Sequence, residues 1–311
     1  MKKIYLLFLL LLSLGVQAQE LTVSLQQGDK MIPFYGEDAL VNAYEAAADS
    51  GAVITLSPGV FKTMSNIFKS VTLVGTYGFS DQADRTVLSS VAVNANHVRF
   101  EGLQFTGSVS LGAITDFHIK RCYVSSLTST DKHVRTIVDQ CRVLSETAVQ
   151  NGENYCIKNS VVDFAASNTS ATMVFFTNSS LYIGSNPPYA VYRNCVLRTN
   201  STSFSLFSPR EFYYNVFTSS GYPDSSVSIS NDAGCQYRGN TSLTYNSIGA
   251  GGDPFRPTNM PKGEDGTLIG PMGGTGFSPY PSIPRIVKQN IGKSTDGEGN
   301  LSVELDVQAE P

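Results

Sequence analysis

The chain has 311 residues, enough for one large core, with 22 Lys plus Arg against 26 Asp plus Glu and a formal net charge of −4. This acidic balance disfavours nucleic acid and anionic lipid as main partners, because both select basic patches. Charged residues make up only 15%, while Ser, Thr, Asn and Gly are plentiful, a composition that favours strands and turns over helices.

The chain opens with MKKIYLLFLLLLSLGVQAQE. Two lysines, an apolar run from Ile4 to Leu12 and a small-residue site at Val16-Gln17-Ala18 read as a secretory signal cleaved after Ala18. The run is too short for a transmembrane anchor, and no later stretch reaches the roughly 18 apolar residues of a spanning helix. Removing residues 1–18 from the 311 leaves 293 and, with Lys2 and Lys3 gone, takes the net charge from −4 to −6. The protein is therefore expected to be exported, to the periplasm, the outer surface or the medium. Its five Cys are an odd number, so at least one thiol stays free unless chains pair. No Cys-x-x-Cys occurs and the three His are scattered, so no zinc pattern is present.

Residues 36–61, GEDALVNAYEAAADSGAVITLSPGVF, predict a helix over about 38–49. Asp38 stands at the N-cap, Leu40, Ala43, Tyr44, Ala47 and Ala48 form an apolar stripe, and Gly51 is the stop. After it, AVITLSPGVF and SVTLVGTYG read as the first strands.

From Phe100 a six-residue phrase recurs: FEGLQF at 100, IKRCYV at 119, VDQCRV at 138, IKNSVV at 157 and FTNSSL at 176, each 19 residues after the last. YRNCVL follows at 192, FYYNVF at 212 and LTYNSI at 243, with a poorer copy near Ile229. Apolar residues occupy the first and sixth positions, which are expected to point inward. The third and fourth are expected to make a sharp bend suited to Asn and Gly. A period near 19 is too short for helix-turn-helix repeats, and the Leu-rich consensus of a leucine-rich repeat is missing. Short strands coiled into a tube, stacked at about 4.8 Å, satisfy the pattern. The Cys at position four of IKRCYV and VDQCRV is replaced by Leu, Ser or Asn in other copies, which reads as a rung of architecture. Cys122 and Cys141 lie close enough for a disulfide, but parallel in-register side chains favour buried thiols.

With its NC- and NN-like bends and its helix ahead of the first coil, residues 36–250 resemble the right-handed parallel β-helix of the pectin lyase-like superfamily. Within it they resemble secreted or surface β-helix proteins of Gram-negative gut bacteria, some classed as adhesins. The resemblance implies an all-β, single-stranded, right-handed parallel β-helix over residues 19–275, with the helix capping its N-terminal end. After Gly249 the chain becomes Gly- and Pro-rich, an extended strap that either closes the C-terminal end of the tube or leads away from it. Residues 276–311 end in a predicted hairpin, Ile286 to Ile291 and Leu301 to Val307 around DGEGN, expected to pack on or follow the tube.

Hydrolases of that superfamily carry motifs resembling N-T-D, D-D, G-H-G and R-I-K, and none occurs here. Its lyases combine a carboxylate-bound Ca²⁺ with an Arg or Lys base, so Ca²⁺ is expected only if this chain is a lyase. No other cofactor and no metal site is expected. The second position of the phrase, expected to face outward, reads Glu101, Lys120, Asp139, Lys158, Thr177, Arg193, Tyr213, Thr244. This alternation of acid and base is chiefly a structural ladder, with Lys120, Asp139 and Lys158 its only catalytic candidates. Asp163, followed by Phe164, faintly resembles a pectin methylesterase pair. His97 and His133, both before Val-Arg, are expected at related surface or turn positions, and His118 is expected to face outward. Tyr213, Tyr214 and Tyr245, with Arg193, are the ligand-binding candidates, since exposed tyrosines stack on sugars or protein partners. The leading expectation is a non-catalytic protein that binds a polysaccharide or a cell-surface protein, followed by a polysaccharide lyase and a structural spacer.

Overall fold

The computed structural model describes residues 21–76, 78–79, 85–165, 173–183, 189–206, 210–231, 235–249, 253, 255–278, 285–295 and 301–308. The signal-like segment lies outside them. The fold is an all-β solenoid of parallel strands, with coils of about 19 residues and very little helix.

Each coil threads two long sheets. Sheet A runs from the N-terminal end through strands such as Ser70–Val74, Arg99–Glu101, His118–Lys120, Ile137–Asp139, Cys156–Lys158 and Phe175–Thr177. It continues through Val191–Arg193, Glu211–Tyr213 and Gln236–Arg238. Sheet B takes the strand after each bend, including Gln104–Leu111, Tyr123–Ser129, Arg142–Glu146, Val161–Phe164 and Val196–Thr199. Short pairs, His133–Val134 with Gly152–Glu153 and Ser203–Leu206 with Ser228–Asn231, close the circuit. In register, Phe100 meets Ile119, then Val138, Ile157, Phe176, Tyr192 and Phe212. The next partner is Tyr237, so the eighth copy is YRGNTS and not LTYNSI at 243. Ile229 does not open a copy either, since it pairs with Phe204 in a short side sheet.

First- and sixth-position side chains fill the tube, with Phe100, Phe105, Phe176, Tyr192, Phe212 and Phe217 fully buried. Tyr192 and Phe212 stack with centroids 4.7 Å apart. Burying each such side chain is worth roughly 1.5–3 kcal/mol, shared between neighbouring coils, so no coil is stable alone.

The bend between the sheets is made by one residue. Gly102, Arg121, Gln140, Asn159, Asn178, Asn194, Tyr214 and Gly239, all third in the phrase, have positive φ. A left-handed residue turns the chain sharply but leaves the next amide without a strand partner. The fourth-position side chain supplies the acceptor from the following coil. Cys122 N–H donates to Cys141 Sγ at 3.5 Å, Cys141 N–H to Ser160 Oγ at 3.0 Å, and Cys195 N–H to Asn215 Oδ1 at 2.9 Å. The same groups donate onward, Cys141 Sγ to Asp139 O and Ser160 Oγ to Lys158 O. All five cysteines are free thiols. A second left-handed column precedes sheet A at His97, Asp116, Arg135, Asn154 and Met173, again every 19 residues.

The N-terminal end differs from expectation in four ways. Strands β1 (Thr22–Gln27) and β2 (Lys30–Tyr35) precede the helix, and β1 adds antiparallel to β3 (Ser50–Leu56). Around the two-residue turn Gly28–Asp29, the Ser24–Pro33 pair falls at a non-hydrogen-bonded position, so the proline nitrogen, with no hydrogen, faces the open edge of β2. The helix, α1 (Ala39–Ala46), ends before Gly51, which lies at a register shift inside β3. Asp38 sits at the N-cap without capping; its carboxylate pairs instead with Lys62 at 2.7 Å. Ala39, Leu40, Ala43, Tyr44 and Ala47 face the core while Ala48 is exposed.

The segment 261–276 runs back along the bend. Asn159 Nδ2 donates to the carbonyls of Pro271 and Gly273, and Gln140 Nε2 to Gly276 O. Asn194 Oδ1 accepts from the Glu264 amide, and the Gly270 amide donates to Asn194 O. At the C-terminus, Arg285–Thr295 and Leu301–Gln308 form the expected antiparallel hairpin.

Candidate functional site

The outer face of sheet A carries two columns of side chains. One is the second position of the phrase, Glu101, Lys120, Asp139, Lys158, Thr177, Arg193, Tyr213 and, by the corrected register, Arg238 in place of Thr244. The other stands just before the phrase: Arg99, His118, Ile137, Cys156, Phe175, Val191, Glu211 and Gln236. This column falls outside the six-residue phrase, and only His118 in it is expected from the sequence to face outward, by alternation with Ile119. Arg99 and Arg238 were missed for that reason and for the misplaced eighth copy.

At the N-terminal half of this face, Thr72, Arg99, Phe100, Glu101, His118 and Lys120 line a depression of about 420 Å³. Its charges are unevenly satisfied. Glu101 is 3.7 Å from the buried Arg121 guanidinium, which donates through Nε to Gln140 Oε1 at 2.7 Å. Among the described residues the side chains of Arg99 and Lys120 have no ion-pair or hydrogen-bond partner. One coil on, Asp139 is 5% exposed although it lies on the outer face. Lys158 Nζ approaches its Oδ2 at 3.2 Å and His118 Nε2 at 3.9 Å, while Oδ1 has no hydrogen-bond partner. Burial alone would raise the Asp139 carboxyl, but His118 and Lys158 outweigh it and hold the group below the usual carboxylate range. Lys120, Asp139 and Lys158 therefore share one face, with Asp139 and Lys158 committed to each other.

Asp163 is not part of this group. It lies on sheet B, across the bend, gripped by Arg142 Nη2 at 2.6 Å and Arg198 Nη2 at 2.7 Å. Its neighbour Phe164 points into the core.

At the C-terminal half, the Arg193 guanidinium lies 4.8 Å from the Tyr213 ring centroid, and the Tyr213 hydroxyl donates to Glu211 at 3.0 Å. Tyr214 occupies the left-handed bend position, with Arg238 5.8 Å from its ring. Its ring lies so close to Gly239 that a Cβ there would be 2.7 Å from Cδ1. Tyr245 does not join them; it packs on the apolar cluster of Val196, Val216, Ile248, Met260 and Ile269.

The histidines divide. His118 faces outward in the depression, and His97 is exposed with Nδ1 3.2 Å from Asp116. His133 is not at a related position: it is fully buried, bonded to Thr136 Oγ1 and the Ala148 carbonyl, and burial lowers its pKa. Among the described residues no three His, Cys, Asp or Glu side chains converge as a metal-ligand set, and no helix is long and apolar enough to cross a membrane. No family model matches the chain, and no curated protein or solved structure matches it.

Proposed function

We propose that the protein is an exported, non-catalytic β-solenoid that binds an acidic glycan along the outer face of sheet A. The observation that carries this reading is the pair of unpartnered cations, Arg99 and Lys120, on adjacent strands beside a depression that also offers His118, Thr72 and the Glu101 carboxylate. Cations held without a counter-charge suit an anionic group. Glu101 beside them suits a sugar hydroxyl, which donates to it. The resemblance to the pectin lyase-like superfamily, many of whose members act on acidic polysaccharides, supports the same ligand class.

The test is retention on immobilised polygalacturonate, alginate and chondroitin sulfate against a neutral glucan. Retention on at least one acidic polymer, weakened by salt and reduced about tenfold or more in the Arg99→Ala plus Lys120→Ala protein, is expected. Equal retention of wild type and double variant would overturn the reading. Absence of retention on every acidic polymer would move the assignment to a protein-binding surface or a spacer. A second reading, a polysaccharide lyase, is favoured by the convergence of His118 and Lys158 on Asp139. The same incubations decide it, since a lyase releases unsaturated products that absorb in the ultraviolet. Such release, abolished by Lys158→Ala or Asp139→Ala, would replace the binding role with a catalytic one.

A further inference from the structure

At the C-terminal half of the same face, a second cationic group is already occupied by the chain itself. Arg193, Tyr213 and Arg238 stand in register on successive strands. Stacking on Tyr213 and Tyr214 orients the two guanidinium groups before any ligand arrives. Among the described residues the Arg238 side chain has no ion-pair partner. Arg193 has one, and it comes from the strap: Nη1 donates to Glu264 Oε2 at 2.8 Å.

The strap does not depend on that bridge. It is held by the amide side chains of Gln140, Asn159 and Asn194, through its own backbone at Pro271, Gly273, Gly276 and Glu264. The bridge itself is open to water, with side-chain exposures of 47% for Arg193 and 40% for Glu264, a setting in which ion pairs add little to stability. Glu264 thus makes a contact that the fold can lose, at a position whose chemistry is that of carboxylate recognition.

We infer that Arg193 and Arg238 form a second carboxylate subsite, and that Glu264 is its built-in occupant, which a ligand carboxylate must displace. The inference rests on the glycan-binding reading and adds a rule of selection to it. A neutral sugar has nothing with which to replace a charged bridge. A polyuronate anchored at Arg99 and Lys120 presents further carboxylates at high local concentration and displaces Glu264 readily. Five strand steps separate the coil of Arg99 from that of Arg193, on the order of 24 Å at about 4.8 Å per step. A polymer reaches both subsites, whereas a uronic acid disaccharide reaches only one.

The experiment compares wild type, Glu264→Gln, and Glu264→Gln plus Arg193→Ala for binding to polygalacturonate and to digalacturonate by calorimetry. Glu264→Gln should bind the polymer about two- to fivefold more tightly, the range set by removing a weak surface bridge. The added Arg193→Ala should erase the gain, and the melting temperatures of wild type and Glu264→Gln should coincide. An unchanged polymer affinity in Glu264→Gln, or a gain that survives Arg193→Ala, would sink the inference. So would a melting temperature lowered in Glu264→Gln, since the bridge would then be holding the strap. The Arg99→Ala plus Lys120→Ala protein reports separately on the anchoring depression, so failure of one subsite is distinguishable from failure of the other.

Discussion

The Tyr155 hydroxyl donates to Glu146 Oε1 at 2.8 Å inside the tube, where neither side chain meets solvent. Burial pushes the Glu146 carboxyl up to about 8, against hydrogen bonds from Tyr155, Val149 and Ala148 that favour the carboxylate. Since this value lies above the ordinary 4.5, between about pH 4.5 and 8 the folded protein keeps a proton that the unfolded chain has released. The associated stability is complete at the acid end and is lost as pH rises to 8, on the order of a few kcal/mol. The buried His133, shifted down, acts in the opposite sense below about pH 6.5, where the unfolded chain gains a proton that the folded one resists. Urea unfolding is therefore expected to show stability falling from pH 6.5 to 8 in wild type and falling less in Glu146→Gln. Parallel slopes for the two proteins would refute the assignment.

The fourth-position column makes its own prediction. Cys141→Ser should cost little, because Ser160 and Ser179 already do the same work in neighbouring coils. Cys141→Val removes the acceptor of the Cys122 amide and leaves it buried and unpaired, a loss of about 1–3 kcal/mol. Equal unfolding midpoints for the Ser and Val variants would show that the ladder carries no weight. Burial raises the Cys141 thiol well above its ordinary range, and pushes Cys195 up to about 12, so neither should react with a thiol reagent until the protein unfolds.

Asp163 should matter to stability and not to ligand. Asp163→Ala strands two half-sheltered guanidinium groups, Arg142 and Arg198, and is expected to destabilise by about 1–3 kcal/mol. Retention on acidic polymers should be unchanged, because Asp163 lies on sheet B. Loss of retention in a protein that still melts normally would place ligand on that sheet.

Asn159 combines a left-handed backbone with three hydrogen bonds to the strap, two donated by Nδ2 and one accepted by Oδ1 from the Thr275 hydroxyl. Asn159→Gly keeps the conformation and loses the bonds, whereas Asn159→Ala loses both, adding roughly 1–2 kcal/mol of backbone strain. Limited proteolysis should cut residues 261–276 faster in both variants, and the unfolding midpoint should fall in both, further in the Ala variant, which adds the backbone strain. Wild-type cleavage rates in both would mean that other contacts hold the strap.

The solenoid was legible because Phe100, Ile119, Val138, Ile157 and Phe176 recur at one interval, and a stacked tube is the packing that makes such a period necessary. Legibility failed where the interval changed. LTYNSI at 243 and YRGNTS at 237 both place Asn fourth, and only strand register shows that Tyr237 follows Phe212. The HVR tripeptide at 97 and 133 suggested equivalent histidines, yet Arg135, not His133, is the counterpart of His97 in the left-handed column. Glu146 gave no sign of being interior, because the register shift between Val143 and Glu146 breaks the alternation of that strand. On sheet A, the acid–base alternation was readable, but the burial of Asp139 and the arrival of Glu264 from the strap depend on contacts distant in sequence.

Pro33 has a consequence of a different order. A stack of identical strands is a template for its own continuation, and nothing in the register of coils tells it where to stop. Pro33 places a residue that cannot donate on the outer strand at the N-terminal edge of sheet A, and so weakens continuation there by chemistry instead of by bulk. One edge of a fibre-like stack is thereby marked as an end by a single missing hydrogen.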